Sequence, residues 1–371
     1  MPLKASPFSK LLFSLFLVFI CSCQTEEKTK PTTFDRSSFL VNIADGLIIP
    51  AYNQLLTEVQ LLDEKAETFT QNPNQENLIG LQTSWTNAYS IWQKANAFNF
   101  GPAGEEGIRK TLLEEIAIFP VNEQKINSIL ETNTFNINDF NRDTRGFIAV
   151  EYLIFDTKND NTRIVNDFKT QSSKRYLISL TKHILEKVKY VSDAWNGSYK
   201  SQFIKNNGTE SGSSTSTFYN EFVKSFEASK NFKVGLPLGK RPGQTTTMPG
   251  LVEAKYSGKS LEFLKLHIQN LHQIWYGKPF NSDADGIGFK EYLENVEGGK
   301  DLINLSESQM MNVTKALNEI PTSTRFSDLL VSDPTKIENL HTELQKQTRF
   351  FKSDMSSVLG IAITYSSGDG D

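Results

Sequence analysis

From Phe39 to about Phe69, apolar residues return every three or four positions: Leu40, Ile43, Leu47 and Ile48, then Leu55, Val59 and Leu62. That period predicts a helix with one buried face. Pro50 has no N–H to donate and predicts a kink or break inside the run. NPNQEN at 72–77 reads as a turn. A second amphipathic run follows through Leu78, Leu81, Trp85, Tyr89 and Trp92, and Gly101-Pro102 stops it. Further helical runs cover about 108–117, 123–131, 145–155 and 163–195, with no period-2 strands between them. The predicted class is all-α.

Residues 206–217, NNGTESGSSTST, have the composition of an exposed flexible segment. A second helical set runs 217–232, 258–276, 288–295, 306–319 and 333–365, interrupted by the loop KVGLPLGKRPGQTTTMPG. Two helical-bundle domains in series, 38–205 and 218–371, joined by 206–217, are the economical reading. Ile91-Trp92 and Gly146-Phe147 with Glu151-Tyr152-Leu153 find echoes in Ile274-Trp275 and Gly288-Phe289 with Glu291-Tyr292-Leu293. The spacings differ between the halves, so duplication and coincidence both remain open.

The N-terminus changes the setting. Lys4 and Lys10 flank an apolar run from Leu11 to Ile20 that is too short for a permanent membrane span, the pattern of a secretory signal over residues 1–22. Ser22 places a small residue before Cys23, so Cys23 is the expected lipidation site, and residues 23–37, including TEEKTKPTT, read as a tether. This implies attachment to a membrane through lipid at the bacterial envelope, facing the periplasm or on the outer-membrane surface. Cys21 leaves with the signal, so no cysteine pair remains to form a disulfide, and a packed core must supply the stability. The whole chain carries a formal charge of −4, and losing Lys4 and Lys10 makes it more negative. Nothing in that balance suggests nucleic acid.

Candidate chemistry centres on RGFIAVEYLIFD, residues 145–156, where Glu151 is the one acid inside the apolar run between Arg145 and Asp156. A buried carboxylate needs a cation, a metal, a proton or a hydrogen-bond donor. On a helix, Glu151 shares its face with Phe147, Ile148, Ile154 and Phe155, and Arg145, six positions back, points elsewhere. A structural Glu that bonds across a helix interface, with or without a proton, explains these residues as well as a functional site does.

Four strings in order, LQTSWTNAYSIWQKANAFNFGPAG, RGFIAVEYLIFD, VEAKYSGKSLEFLKLHIQNLHQIWYG and SVLGIAITYSSGDGD, resemble the successive landmarks of the imelysin family, from about residue 38 onward. The resemblance implies a secreted or lipid-anchored bacterial protein of two helical bundles, with a site between them linked to iron uptake. The family signature Gly-x-His-x-x-Glu falls on Gly146, Ile148 and Glu151. Isoleucine neither ligates nor titrates, so the nitrogen donor is lost here. The motif is also not the His-Glu-x-x-His of zinc proteases.

The resemblance makes Glu253 the candidate second acid of the cleft. Tyr256, Ser257 and Ser260 lie around it, with either serine suited to cap the following helix, and Lys240 and Arg241 are the candidate cations. Two carboxylates with hydroxyls suit iron, manganese or calcium better than zinc. The histidines offer no replacement ligand set. His183 with Glu186 lies among Lys182, Lys187 and Lys189 and reads as solvated, His267 and His272 are five apart and diverge, and His341 sits in a polar helix. NSDADGIGFKEYL lacks the bidentate Glu of a calcium loop and reads as an acidic turn, and GDGD reads as a solvated tail. The leading expectation is an envelope lipoprotein that binds iron, another divalent metal or an iron-uptake partner protein at the cleft. A metallopeptidase or other hydrolase centred on Glu151, and an anchored scaffold with a degenerate site, are the alternatives.

Overall fold

A computed structural model of the chain describes residues 34–365 apart from positions 106, 109 and 141. The expected signal, the expected lipidation site Cys23, most of the expected tether and the GDGD tail lie outside the described residues. Within them there are helices and loops and no β-strand. The helices are α1 (Arg36–Gln71), α2 (Gln75–Ala95), α3 (Leu112–Ile116), α4 (Glu123–Thr132), α5 (Phe147–Ile154), α6 (Asn161–Asp167), α7 (Gln171–Ala194) and α8 (Lys200–Lys205). They continue with α9 (Ser214–Ala228), α10 (Ser260–Trp275), α11 (Phe289–Glu294), α12 (Gly299–Glu319), α13 (Phe326–Ser332) and α14 (Thr335–Arg349). From Phe34 onward the chain packs as one compact unit.

Pro50 does not break α1. A wider, π-helical turn over Asn42–Ile48 precedes it, and the helix runs on through it. Proline at 50 cannot bond the carbonyl of Gly46, and that carbonyl instead accepts the Phe280 N–H at 2.6 Å. The unmet acceptor of the first helix thereby ties down a loop of the second half. α1 packs along both α2 and α7, and Leu55, Val59, Leu81, Tyr89, Leu180 and Val188 are buried.

The segment 206–217 is less free than its composition predicts. Ser213 caps α9 by accepting the Ser216 N–H at 3.2 Å, and Ser214, Thr215 and Ser216 are buried. Arg36 donates to the Asn207 carbonyl at 2.6 Å, pinning the segment to the start of α1. Small hydroxyl residues pack well once caps and carbonyls satisfy them, and composition alone does not reveal that.

The two halves meet through aromatic rings. Tyr89 of α2 stacks on Trp85 at 5.2 Å, and meets Phe147 of α5 at 5.2 Å and Phe263 of α10 edge-on at 4.8 Å. The Trp85 indole N–H donates to the Phe147 carbonyl at 2.8 Å, which fixes the first turn of α5 against α2.

Candidate functional site: the Glu151 seam

Gly146 sets α5 in place. Its φ is +81°, open to glycine at little cost, and an added Cβ would lie 2.3 Å from the Ile116 carbonyl oxygen. Just before it, Arg145 turns away from Glu151 and donates to Glu115 at 2.6 Å, and to the carbonyls of Ile137 and Asp139. Arg142 reaches the other Glu115 oxygen at 3.1 Å, and His183 of α7 approaches at 3.3 Å. Burial pushes the Glu115 carboxyl up, but the His183 hydrogen bond and the two guanidinium charges outweigh it and hold it down at about 2. His183 is thus buried, not solvated: its ring faces Glu115 while the neighbouring lysines point outward.

Glu151 lies about one turn into α5 and is fully buried. Its Oε1 accepts the Ser257 N–H at 2.7 Å, from the loop that leads into α10. Its Oε2 is buried with no hydrogen-bond partner among the described residues. Burial pushes the carboxyl up to about 7; Ser257 pulls it back only in part, and the charge on Glu253 pushes it further up. The stray acid of the apolar helix is therefore a half-satisfied group that holds its proton up to neutral pH.

The loop from Val252 to Gly258 is shaped to present its polar groups. Ala254 sits at φ +51°, a left-handed conformation uncommon for alanine, and Gly258 at +74°. The Ser260 hydroxyl donates to the Glu253 carbonyl at 2.5 Å, and Arg325 holds the Lys255 carbonyl at 3.0 Å. Ser260 therefore braces the loop as the first residue of α10, with no side-chain cap at the helix's N-terminus.

Glu253 is brought to the seam, and its charge couples to Glu151, but its oxygens are taken. Oε1 accepts the Tyr89 hydroxyl at 2.7 Å, and Oε2 pairs with the Lys233 ammonium at 3.0 Å. Lys233 also donates to Gln93 at 2.5 Å. It is buried, and burial lowers its pKa while Glu253 works against that shift. Lys240 and Arg241, the cations expected here, instead line a separate cavity, and Lys240 pairs with Glu338 at 3.2 Å. Sequence reasoning missed Lys233, Tyr89 and Gln93. Lys233 was placed in a loop, whereas α9 continues as a π-helical turn over Ser229–Gly235 and turns that lysine inward. The run Phe222, Phe226, Ser229, Lys233 at helical steps was the available signal.

His267 is buried between two serines, with Ser225 at 2.8 Å from Nε2 and Ser229 at 3.2 Å from Nδ1. Burial, with the Lys233 charge behind it, pushes its pKa well down, so it is a neutral member of the same polar core.

The donor set does not fit a resident metal. Ile148, buried on α5, offers no donor, Glu253 is already paired, and no three His, Cys, Asp or Glu residues cluster for an ion among the described residues. Next to the seam lies a groove of about 680 Å3, lined by Tyr152 and Leu153 of α5, Lys255 and Tyr256 of the loop, and Glu123 and Asn127 of α4. Tyr256 donates to Glu123 at 2.7 Å, Tyr152 to Asn127 at 2.7 Å, and the two rings meet edge-on at 5.1 Å.

The sequence model of the imelysin family matches residues 48–350, which takes in α5, the presenting loop and the whole seam. The chain belongs to the imelysin family. Two crystal structures share the imelysin fold seen here. A proposed iron-regulated protein A precursor from Parabacteroides distasonis superposes with a TM-score of 0.72 at 16% identity, covering 90% of this chain and 97% of that one. An imelysin-like protein from Psychrobacter arcticum gives 0.70 at 18% identity, over 89% and 97%. In sequence, iron-regulated protein A of Synechococcus elongatus is 22% identical over 253 residues, 65% of each chain, so this imelysin spans just under two thirds of that relative's length.

Proposed function

We propose that this imelysin works in iron acquisition at the bacterial envelope as a lipid-anchored binding protein. Its ligand is chelated iron or an iron-carrying partner, received in the groove beside Glu151 rather than as a bare ion held in the seam. One observation carries the reading. Tyr152 follows Glu151 and Tyr256 precedes Ser257, so both neighbours of the buried Glu151–Ser257 hydrogen bond line the open groove. A ligand that moves either tyrosine acts on that bond. The iron-regulated names of the relatives support the setting, and the signal and Cys23 support the address.

Titration of purified protein with ferric citrate and, separately, with Fe(II), Mn(II), Ca(II) and Zn(II) salts tests this. Ferric citrate is expected to bind, and Tyr256→Ala to weaken it by about tenfold, roughly 1.4 kcal/mol. Tight one-to-one uptake of a bare ion that Glu151→Gln abolishes would establish a resident metal instead. Cleavage of an unfolded protein, lost in Glu151→Gln, would establish the hydrolase. Cys23→Ala is expected to move the protein from the membrane fraction to the soluble fraction.

A further inference from the structure

Another cavity, of about 260 Å3, lies between residues of the two sequence halves. Asn96, Asn99 and Leu113 line it from the first half, and Glu221, Lys224 and Ser225 of α9 from the second. That is below the roughly 300–1,000 Å3 of a pocket for a drug-sized molecule, so it has room for one compact ligand. None of its lining residues lines the groove beside Glu151.

Asn96 follows the last turn of α2, where its N–H donates to the Trp92 carbonyl at 2.8 Å, and the residue is only 5% exposed. Asn99 fixes how its side chain points. The Asn99 Nδ2 donates to the Asn96 carbonyl at 2.9 Å and to Oδ1 at 3.3 Å, while the Leu113 N–H holds the Asn99 Oδ1 at 3.0 Å. The Asn96 oxygen is thus engaged, and its Nδ2 is a donor with no acceptor among the described residues. A buried donor left without an acceptor is costly, and an oxygen in the cavity would meet it.

On α9, the Glu221 side chain is 13% exposed, and its one polar partner among the described residues is Lys224, a turn on, at 3.5 Å. Burial pushes the Glu221 carboxyl up to about 7, with the Lys224 charge offsetting only part of that, so near neutral pH it both donates and accepts. The other acids of the lining are already engaged. Glu114 closes a capping box with Thr111 at the start of α3, and Glu105 lies 3.8 Å from Lys110. Ser225 adds a hydroxyl that is 2.8 Å from the His267 Nε2, and Leu113 and Ala228 add apolar wall.

A charged ligand suits this lining poorly. An ammonium group would meet Lys224 and the Asn96 N–H, and a carboxylate would meet Glu105 and Glu114. A hydroxyl has one donor and two acceptor sites, and so matches an amide donor, an ammonium donor and a carboxyl that serves both ways. We infer that the cavity binds a compact polyhydroxylated molecule, the size of a single sugar ring, with one hydroxyl oxygen taking the Asn96 N–H and another hydroxyl bonding Glu221.

The purified full chain is titrated with D-glucose and with glycerol, and in parallel with acetate and methylammonium. NMR follows the side-chain amide signals of Asn96, assigned by their loss in Asn96→Ala. Glucose and glycerol are expected to shift them saturably, glucose at the lower concentration, and the two ions to leave them in place. Glu221→Ala is expected to bind glucose about tenfold more weakly, and Glu221→Gln, which still donates and accepts, to stay within about threefold of wild type. Ala228→Met keeps every polar group and fills the space, so binding should be lost while the near-UV circular dichroism stays that of wild type. Saturable binding of methylammonium that Glu221→Gln abolishes would establish a cation site, and binding of acetate without glucose an anion site; either overturns the proposal. So does an Asn96 amide that neither glucose nor glycerol shifts, or glucose binding that Ala228→Met retains in full.

Discussion

A carboxyl that keeps its proton up to about pH 7 makes folding depend on pH in an unusual direction. Glu151 ionises near its ordinary pKa of 4.5 when unfolded and near 7 when folded, so below 4.5 it has no effect. Between 4.5 and 7 the unfolded chain releases a proton that the folded one keeps, and stability falls as pH rises; above 7 the loss is complete, at about 3 kcal/mol. Glu151→Gln keeps the shape and cannot ionise. The urea midpoints of wild type and variant should therefore lie closest near pH 5 and separate by pH 8, with the variant higher; a gap that stays constant with pH would show that Glu151 does not titrate there. Lys233 and Glu253 behave differently, since each neutralises the other. Lys233→Met strands a buried carboxylate and should cost about 3–5 kcal/mol, whereas Lys233→Met with Glu253→Gln should recover most of that loss, read as coupling in a double-mutant cycle.

At the scale of elements, α5 is held by Gly146, the residue at its N-cap, and by the clasp before it. Gly146→Ala would force a left-handed alanine against the Ile116 carbonyl, so a loss of at least about 2 kcal/mol in urea unfolding is expected, with the groove disturbed as α5 shifts. The Glu115 clasp has the opposite pH sign to Glu151. Its folded pKa of about 2 lies below the unfolded value, so it stabilises above about 4.5, and its contribution drains away as pH falls toward 2. Arg145→Met should therefore cost most near neutrality and least near pH 2. The helices themselves were legible, because apolar period and Gly-Pro stops report local geometry directly. Glu151 stands out in sequence as an acid in an apolar run, and the resemblance points to Gly146 and Glu253, whereas Ser257 reads as a helix cap and instead gives its N–H to Glu151. Lys233 was not legible, because a charged residue at the last inward step of α9, just before a Gly- and Pro-rich stretch, reads as the start of a loop, whereas a π-helical turn carries the helix on to Gly235. Nor was the burial of His183, because three lysines nearby mask a ring that turns inward to Glu115.

Across the whole molecule, polar contacts at the seam join the sequence halves where two independent bundles would each have closed a core of their own. Glu151 bonds Ser257, Tyr89 bonds Glu253, Gln93 bonds Lys233, and Asn42 bonds the carbonyls of Gly277 and Ile287 at 2.8 and 3.0 Å. Each of these side chains is buried or partly buried, so separating the halves would expose an apolar face and leave Glu151, Tyr89, Gln93 and Asn42 without their hydrogen-bond partners. Sequence periodicity locates the apolar face of each helix but not the helix that covers it, and for that reason a division near 206–217 could be drawn without showing how much the halves share. The expected consequence is one cooperative unfolding transition, coincident by near-UV and far-UV circular dichroism. Residues 34–205 and 206–371 produced separately should each lack a near-UV signal and recover it on mixing. A fragment that alone shows a sharp transition and native near-UV bands would instead establish two bundles that fold independently, with the Glu151 seam formed only when they dock.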